Sequence, residues 1–136
     1  MGFFKNISNG FAKIKEGNKT ASLLLAAAKA VEKSDFVNAI KLYTELIDLG
    51  AENDKKLSQY YEARANVYKM MEDIENALQD LDTAIELNPL NDFALAKRAF
   101  ILSLNGKDEK ALADINEALR INPENSIAKM LLENKS

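Results

Sequence analysis

Pro89 and Pro123 lie 34 residues apart, and the chain around them repeats with the same period. Each proline follows an asparagine (Asn88, Asn122) and stands two residues before another (Asn91, Asn125). Sliding the chain by 34 residues lays 58–91 over 92–125 with ten identities, among them Arg64/Arg98, Ala65/Ala99, Ala77/Ala111, Asp80/Asp114 and Ala84/Ala118. Several other positions exchange one apolar residue for another, as at Val67/Ile101 and Leu81/Ile115. A period of this length marks a solenoid. One unit cannot bury its apolar face alone, so successive units must stack and share a core.

Each unit reads as two antiparallel helices. Tyr61, Ala65 and Tyr68 recur at helical spacing, and so do Ala77, Leu81 and Ala84. Between them, Asp73 can cap a second helix, and in the last unit Gly106 is free to take the left-handed conformation of a turn. Pro89 and Pro123 end each second helix, because the residue before a proline is pushed out of helical geometry. The alanines are small where two helices must approach closely. The spacing predicts helices over 21–33, 36–49, 57–71, 74–87, 92–104 and 108–121. A short helix over 126–134 would cap the stack, with Ala128 and Leu132 covering the last unit.

These residues resemble the tetratricopeptide repeat, whose pattern sets large, small and aromatic residues, then alanine, a bulky residue, alanine and proline at fixed offsets. Two copies follow it in phase: Tyr61, Ala65, Tyr68, Ala77, Leu81, Ala84, Pro89, and Leu95, Ala99, Leu102, Ala111, Ile115, Ala118, Pro123. A degenerate first copy fits Leu23, Ala27, Ala30, Ala39 and Tyr43, with Leu46 where alanine is expected and Ala51 in place of proline. The resemblance implies an all-α, right-handed α-solenoid of three helix-turn-helix repeats over 20–125 (20–57, 58–91 and 92–125). A capping helix and tail over 126–136 follow, and an amphipathic or flexible segment over 1–19 precedes. Arg64 and Arg98 sit where the family usually has an apolar residue. Each is followed sixteen residues later by an aspartate, whereas the first unit has Ala26 and Leu42 at those two places. Partners that appear and vanish together point to an ion pair between the two helices of a unit.

The composition narrows the function classes, and any catalysis would have to rest on carboxylates and lysines alone. Histidine and cysteine are both absent, which removes the commonest general base, the commonest metal ligand and the thiol nucleophile together. No catalytic residue, cofactor or metal site is expected, and a cysteine-free chain fits a reducing, cytoplasmic setting. Lys5, Lys13, Lys15 and Lys19 against Glu16 give residues 1–19 a charge of +3, so with a net charge of −3 the remainder carries −6. An acidic body argues against nucleic acid as a partner.

The resemblance implies a protein or peptide ligand. It also implies that the first helices of successive repeats line a concave groove. Carried onto this chain, its candidate contacts are Leu24, Leu25, Ala28, Val31, Ala63, Asn66, Met70, Phe93, Lys97, Phe100 and Leu104, with Ala21, Gln59, Glu62, Lys69 and Ala96 on the same face. The family's best-known ligands are acidic C-terminal tails of chaperones, held by a clamp of lysines, asparagines and an arginine. The matching positions here are Leu24, Ala28, Ala63, Phe93 and Lys97, of which Lys97 alone has the chemistry. An extended or helical apolar segment suits this groove better. Residues 1–19 place Phe3, Phe4, Ile7, Phe11 and Ile14 on one helical face, interrupted by Gly10 and Gly17. Such a segment could pack on the chain's own solenoid as a displaceable plug, fray, or insert into an anionic membrane surface. Self-association through the groove is a further alternative.

Overall fold

The computed structural model describes the backbone of residues 2–135 and the side chains of Lys15 and residues 17–135. Its described residues form seven helices and no strand: α1 (Gly2–Glu32), α2 (Phe36–Leu49), α3 (Asp54–Met70), α4 (Ile74–Leu87), α5 (Asp92–Leu104), α6 (Asp108–Ile121) and α7 (Ser126–Glu133). Each helix packs on its neighbours in sequence, and α7 also touches α5. This is the expected stack of antiparallel pairs with a terminal cap.

The bounds of α2, α4, α5 and α6 match the sequence reading. Asn88 and Asn122, the residues before the prolines, leave the helix in extended conformations with φ of −140° and −138°. The turns inside the units share one geometry. Ser34, Glu72 and Gly106 occupy equivalent places with φ of 58°, 61° and 73°. The following amide in each case bonds back to the first helix: Asp35 to the Ala30 carbonyl, Asp73 to Tyr68 and Lys107 to Leu102. That left-handed closure satisfies carbonyls the helix end would otherwise strand, and only Gly106 adopts it without a Cβ penalty. Asp35 and Asp73 then cap α2 and α4 through Oδ1, accepting from the amides of Asn38 and Asn76.

Two helices begin earlier than expected. The four residues inserted at 54–57 become the first turn of α3, because the Asn53 side chain accepts from the Lys56 amide at 2.9 Å and starts the helix there. The helix expected at 21–33 is the C-terminal part of α1, which runs without a break from Gly2 through both Gly10 and Gly17. The proposed plug, frayed tail and membrane insertion concern side chains of residues 1–14, which lie outside the described ones. No described helix is long and apolar enough to cross a membrane.

Alanines make the core. Ala27, Ala39, Ala77, Ala84, Ala94, Ala96, Ala99, Ala111, Ala118 and Ala128 are all fully buried, so the helices approach to the limit that a methyl group allows. Ala65, Ala77, Leu81 and Ala84 share one cluster with Ala94 and Ile101 of the next unit. In the cap, Ala128 and Leu131 do the covering, and Leu132 is 42% exposed instead. Both leucines lie one turn from Ala128, and the helix turns the nearer of them inward.

Polar contacts fasten one unit to the next. Asn125 caps α7 by accepting from the Ala128 amide and donates to Asp92 Oδ2 at 2.8 Å, all while 1% exposed. Asn91 repeats the arrangement, capping α5 and donating to Ser58 Oγ at 3.0 Å. Asn125→Ala should therefore cost about 1–2 kcal/mol, the loss of a cap plus a buried hydrogen bond. A urea titration checks this, and the slope with denaturant should stay constant.

Candidate functional site

The paired charges that the sequence pointed to are in contact. Arg64 donates from Nε and from one terminal nitrogen to the two Asp80 oxygens, both at 2.8 Å, and Arg98 grips Asp114 in the same way at 2.8 Å. The remaining nitrogen of each arginine reaches back one unit, Arg64 to Thr44 Oγ1 and Arg98 to Asp82 Oδ1, each at 3.0 Å. One guanidinium thus ties together two successive second helices across its own first helix. Hydrogen bonding to Asp114 lifts the Arg98 guanidinium above its ordinary value, more than burial lowers it. Tyr61 and Tyr68 flank Arg64, with ring centroids 5.4 and 5.8 Å from its guanidinium carbon. These groups are spent on holding units in register and leave no charge for a ligand.

The concave side is built by α1, α3 and α5. A cavity of about 550 Å³ opens there. Ala28, Val31, Ala63, Asn66, Phe93 and Lys97, six of the eleven candidate residues, line it. Their convergence follows from the repeat. Asn66 stands one unit on from Ala28, and Lys97 one unit on from Ala63, so equivalent helix faces turn toward the same space. Phe93, 45% exposed, offers an aromatic face to it. Gln59 and Glu62 complete the polar part.

Two lining residues escaped the sequence reading. Tyr43 of α2 and Val67 of α3 form part of the lining. Tyr43, equivalent to Leu81 and Ile115, packs against the Ala30, Ala39 and Val67 cluster as the repeat predicts, and it lines the cavity as well. Burial pushes its phenol above the ordinary range.

The other five candidates are not gathered here. Leu24 is half-buried and Leu25 is 58% exposed, both outside the cavity. Met70 and Leu104 are the last residues of α3 and α5 and are exposed at their ends. Phe100 and Leu104 line a separate concavity of about 740 Å³ between α5, α6 and α7, with Lys69 Nζ 4.9 Å from the Phe100 ring centroid. Ala96, placed on the groove face from sequence, is fully buried and belongs to the core cluster shared with Ala128 and Leu131. A helical wheel assigns a face but does not say how far along the helix that face stays open. That depends on where the next unit crosses.

The electrostatics are nearly balanced. Lys97, the only cation among the described lining residues, donates to Glu62 Oε1 at 2.7 Å. The Asn66 amide has no hydrogen-bonded neighbour among the contacts observed, and it faces the cavity half-exposed. Among the described residues no group of acidic side chains is arranged to hold a metal ion.

Fold and concave face together define a helical-repeat solenoid. Two stretches, 58–89 and 81–113, match family models described as tetratricopeptide repeat. Tetratricopeptide repeat protein 36 of Xenopus tropicalis is 35% identical over 85 residues, which are 60% of this chain and 40% of that protein. The chain thus carries tetratricopeptide repeats over 58–113, and its match spans well under two thirds of that relative. Among solved structures, the repeat domain of Arabidopsis OM64 superposes with a TM-score of 0.77 at 24% identity, covering 88% of this chain and 95% of that one. The second repeat domain of human RPAP3, solved in complex with the HSP70 peptide SGPTIEEVD, gives 0.74 at 24% identity, covering 88% and 96%. At that identity the likeness establishes the fold alone.

Proposed function

We propose that this chain is a protein-interaction scaffold that holds an apolar peptide segment, extended or helical, in the cavity between α1, α3 and α5. The observation that carries the reading is the convergence of three first helices on one concave space with Phe93 half-exposed in its wall. An aromatic ring left in water beside small residues is an anchor site, since a ligand side chain can bury it without disturbing the fold. Asn66 supplies a free amide that could bond an extended backbone. The human neighbour's acidic peptide is a poor guide to the ligand here. Four of the five clamp positions carry Leu24, Ala28, Ala63 and Phe93, and the fifth, Lys97, is already paired. No reaction is assigned to the chain.

The test is selection from a peptide library, followed by fluorescence anisotropy on the selected sequences. The wild-type chain should select peptides with a large apolar residue and little charge. Phe93→Glu should weaken them by more than about tenfold, the effect of losing a central aromatic contact, with an unchanged circular dichroism spectrum. Equal binding by the variant would move the site elsewhere.

A further inference from the structure

Glu62 occupies a position that has no charged counterpart in the other units: Leu24 stands there in the first and Ala96 in the third. Lys97 likewise replaces Leu25 and Ala63. The pair therefore exists once, between α3 and α5, inside the cavity. It is held firmly from behind. Glu62 Oε1 accepts from Lys97 at 2.7 Å and Oε2 accepts from Asn91 Nδ2 at 3.1 Å. Asn91 is 8% exposed and bonds Ser58 Oγ at 3.0 Å, and Ser58 donates in turn to the Ala84 carbonyl at 2.6 Å. A run of hydrogen bonds thus leads from the core to the cation. Both charges are largely out of water, with side-chain exposures of 15% for Glu62 and 24% for Lys97.

We infer that Glu62 sets the specificity of the groove by standing where a ligand carboxylate would bind: it holds Lys97 and so excludes acidic peptide ends. This rests on the groove being the binding surface. An incoming carboxylate must displace one that is already bonded on both oxygens. The displaced Glu62, still tethered through Asn91, would then face the ligand as a like charge in a partly buried site. An uncharged apolar segment meets no such opposition, since the pair presents it with a neutral surface. The groove thus combines an apolar attraction with a built-in repulsion against the other peptide class.

The probe is the acidic peptide SGPTIEEVD, compared with the same sequence amidated at its C-terminus and with Gln in place of Glu and Asn in place of Asp. Glu62→Gln keeps the size of the side chain and an acceptor for Asn91 but removes the charge. It should bind the acidic peptide about tenfold or more tightly than wild type, the worth of one freed charge-assisted hydrogen bond. The neutral peptide should show no gain. Glu62→Ala should gain similarly, which covers the case in which one variant folds poorly. Adding Lys97→Met to either variant should abolish the gain. No gain in either single variant, or a gain that survives Lys97→Met, overturns the assignment. The groove itself is read separately by the Phe93→Glu selection, which leaves Glu62 in place and uses apolar peptides of little charge. Apolar binding that Phe93→Glu abolishes, with no acidic gain in the Glu62 variants, would refute the role of Glu62 while leaving the groove in place.

Discussion

Arg64→Ala should lower stability by about 3–5 kcal/mol, because it strips the partner from a carboxylate that stays buried. The Asp80 side chain is 6% exposed and takes both of its bonds from this one guanidinium. Nothing else near it carries a compensating charge in the contacts observed. The variant also loses the bond to Thr44 that ties α2 to the second unit. A small domain has a total stability of ~5–15 kcal/mol, so the loss would show plainly in chemical denaturation. Two controls sharpen the interpretation. Arg64→Met with Asp80→Leu removes both charges and should recover most of the loss, since a buried pair gains little over apolar residues of similar volume. Arg98→Ala should cost less than Arg64→Ala, because Asp114 is 10% exposed and Asp82 63% exposed, so water can reach what is left behind. Equal, small losses for both arginines would mean that the pairs are ornaments of the surface.

The second large effect runs against the family pattern. Leu46 stands where the other units carry Ala84 and Ala118, yet all three are fully buried. The first unit therefore has more room at this place than the others, and a leucine fills it. Leu46→Ala brings the sequence closer to the repeat pattern and should nonetheless destabilise by about 2–5 kcal/mol, through lost burial and the cavity left behind. Substitution toward a family pattern commonly stabilises, so the sign of this result discriminates. A neutral or stabilising outcome in a thermal or urea titration would show that α1 and α2 close over the gap.

The repeat made most of the fold legible because its punctuation is chemical. Asn–Pro pairs stop α4 and α6, Asp73 starts α4, and the repeat carries those bounds to the other units, so four helices could be bounded from sequence alone. Signals that depend on an isolated residue were less informative. Asn53 lies just ahead of the inserted 54–57, and its side chain begins α3 three residues before the start at 57 that the spacing predicts. Gly10 and Gly17 each weaken a helix by propensity, yet α1 passes through both; Gly17 has open space around it, so no packing reason explains it. The ion pairs were legible because they covary across units. The candidate groove was half legible, for a geometric reason. Helical spacing fixes the direction a residue faces, and it brought Ala28, Val31, Ala63, Asn66, Phe93 and Lys97 together. It carries no information on the crossing of neighbouring helices, which leaves Met70 and Leu104 beyond the concave face, buries Ala96 and brings in Tyr43 from a second helix.

Each helix packs mainly on the one before and the one after it. Contacts so near in sequence ask for little loop closure, so the chain has a low contact order and can order quickly, one hairpin extending the last. The same linearity ranks the elements. The pair α3–α4 is braced from both sides, whereas α1 meets the stack through α2 and α7 rests on α5 and α6. Under rising temperature the two ends loosen first, while α3, which carries Glu62 and Asn66, keeps its neighbours on both flanks longest.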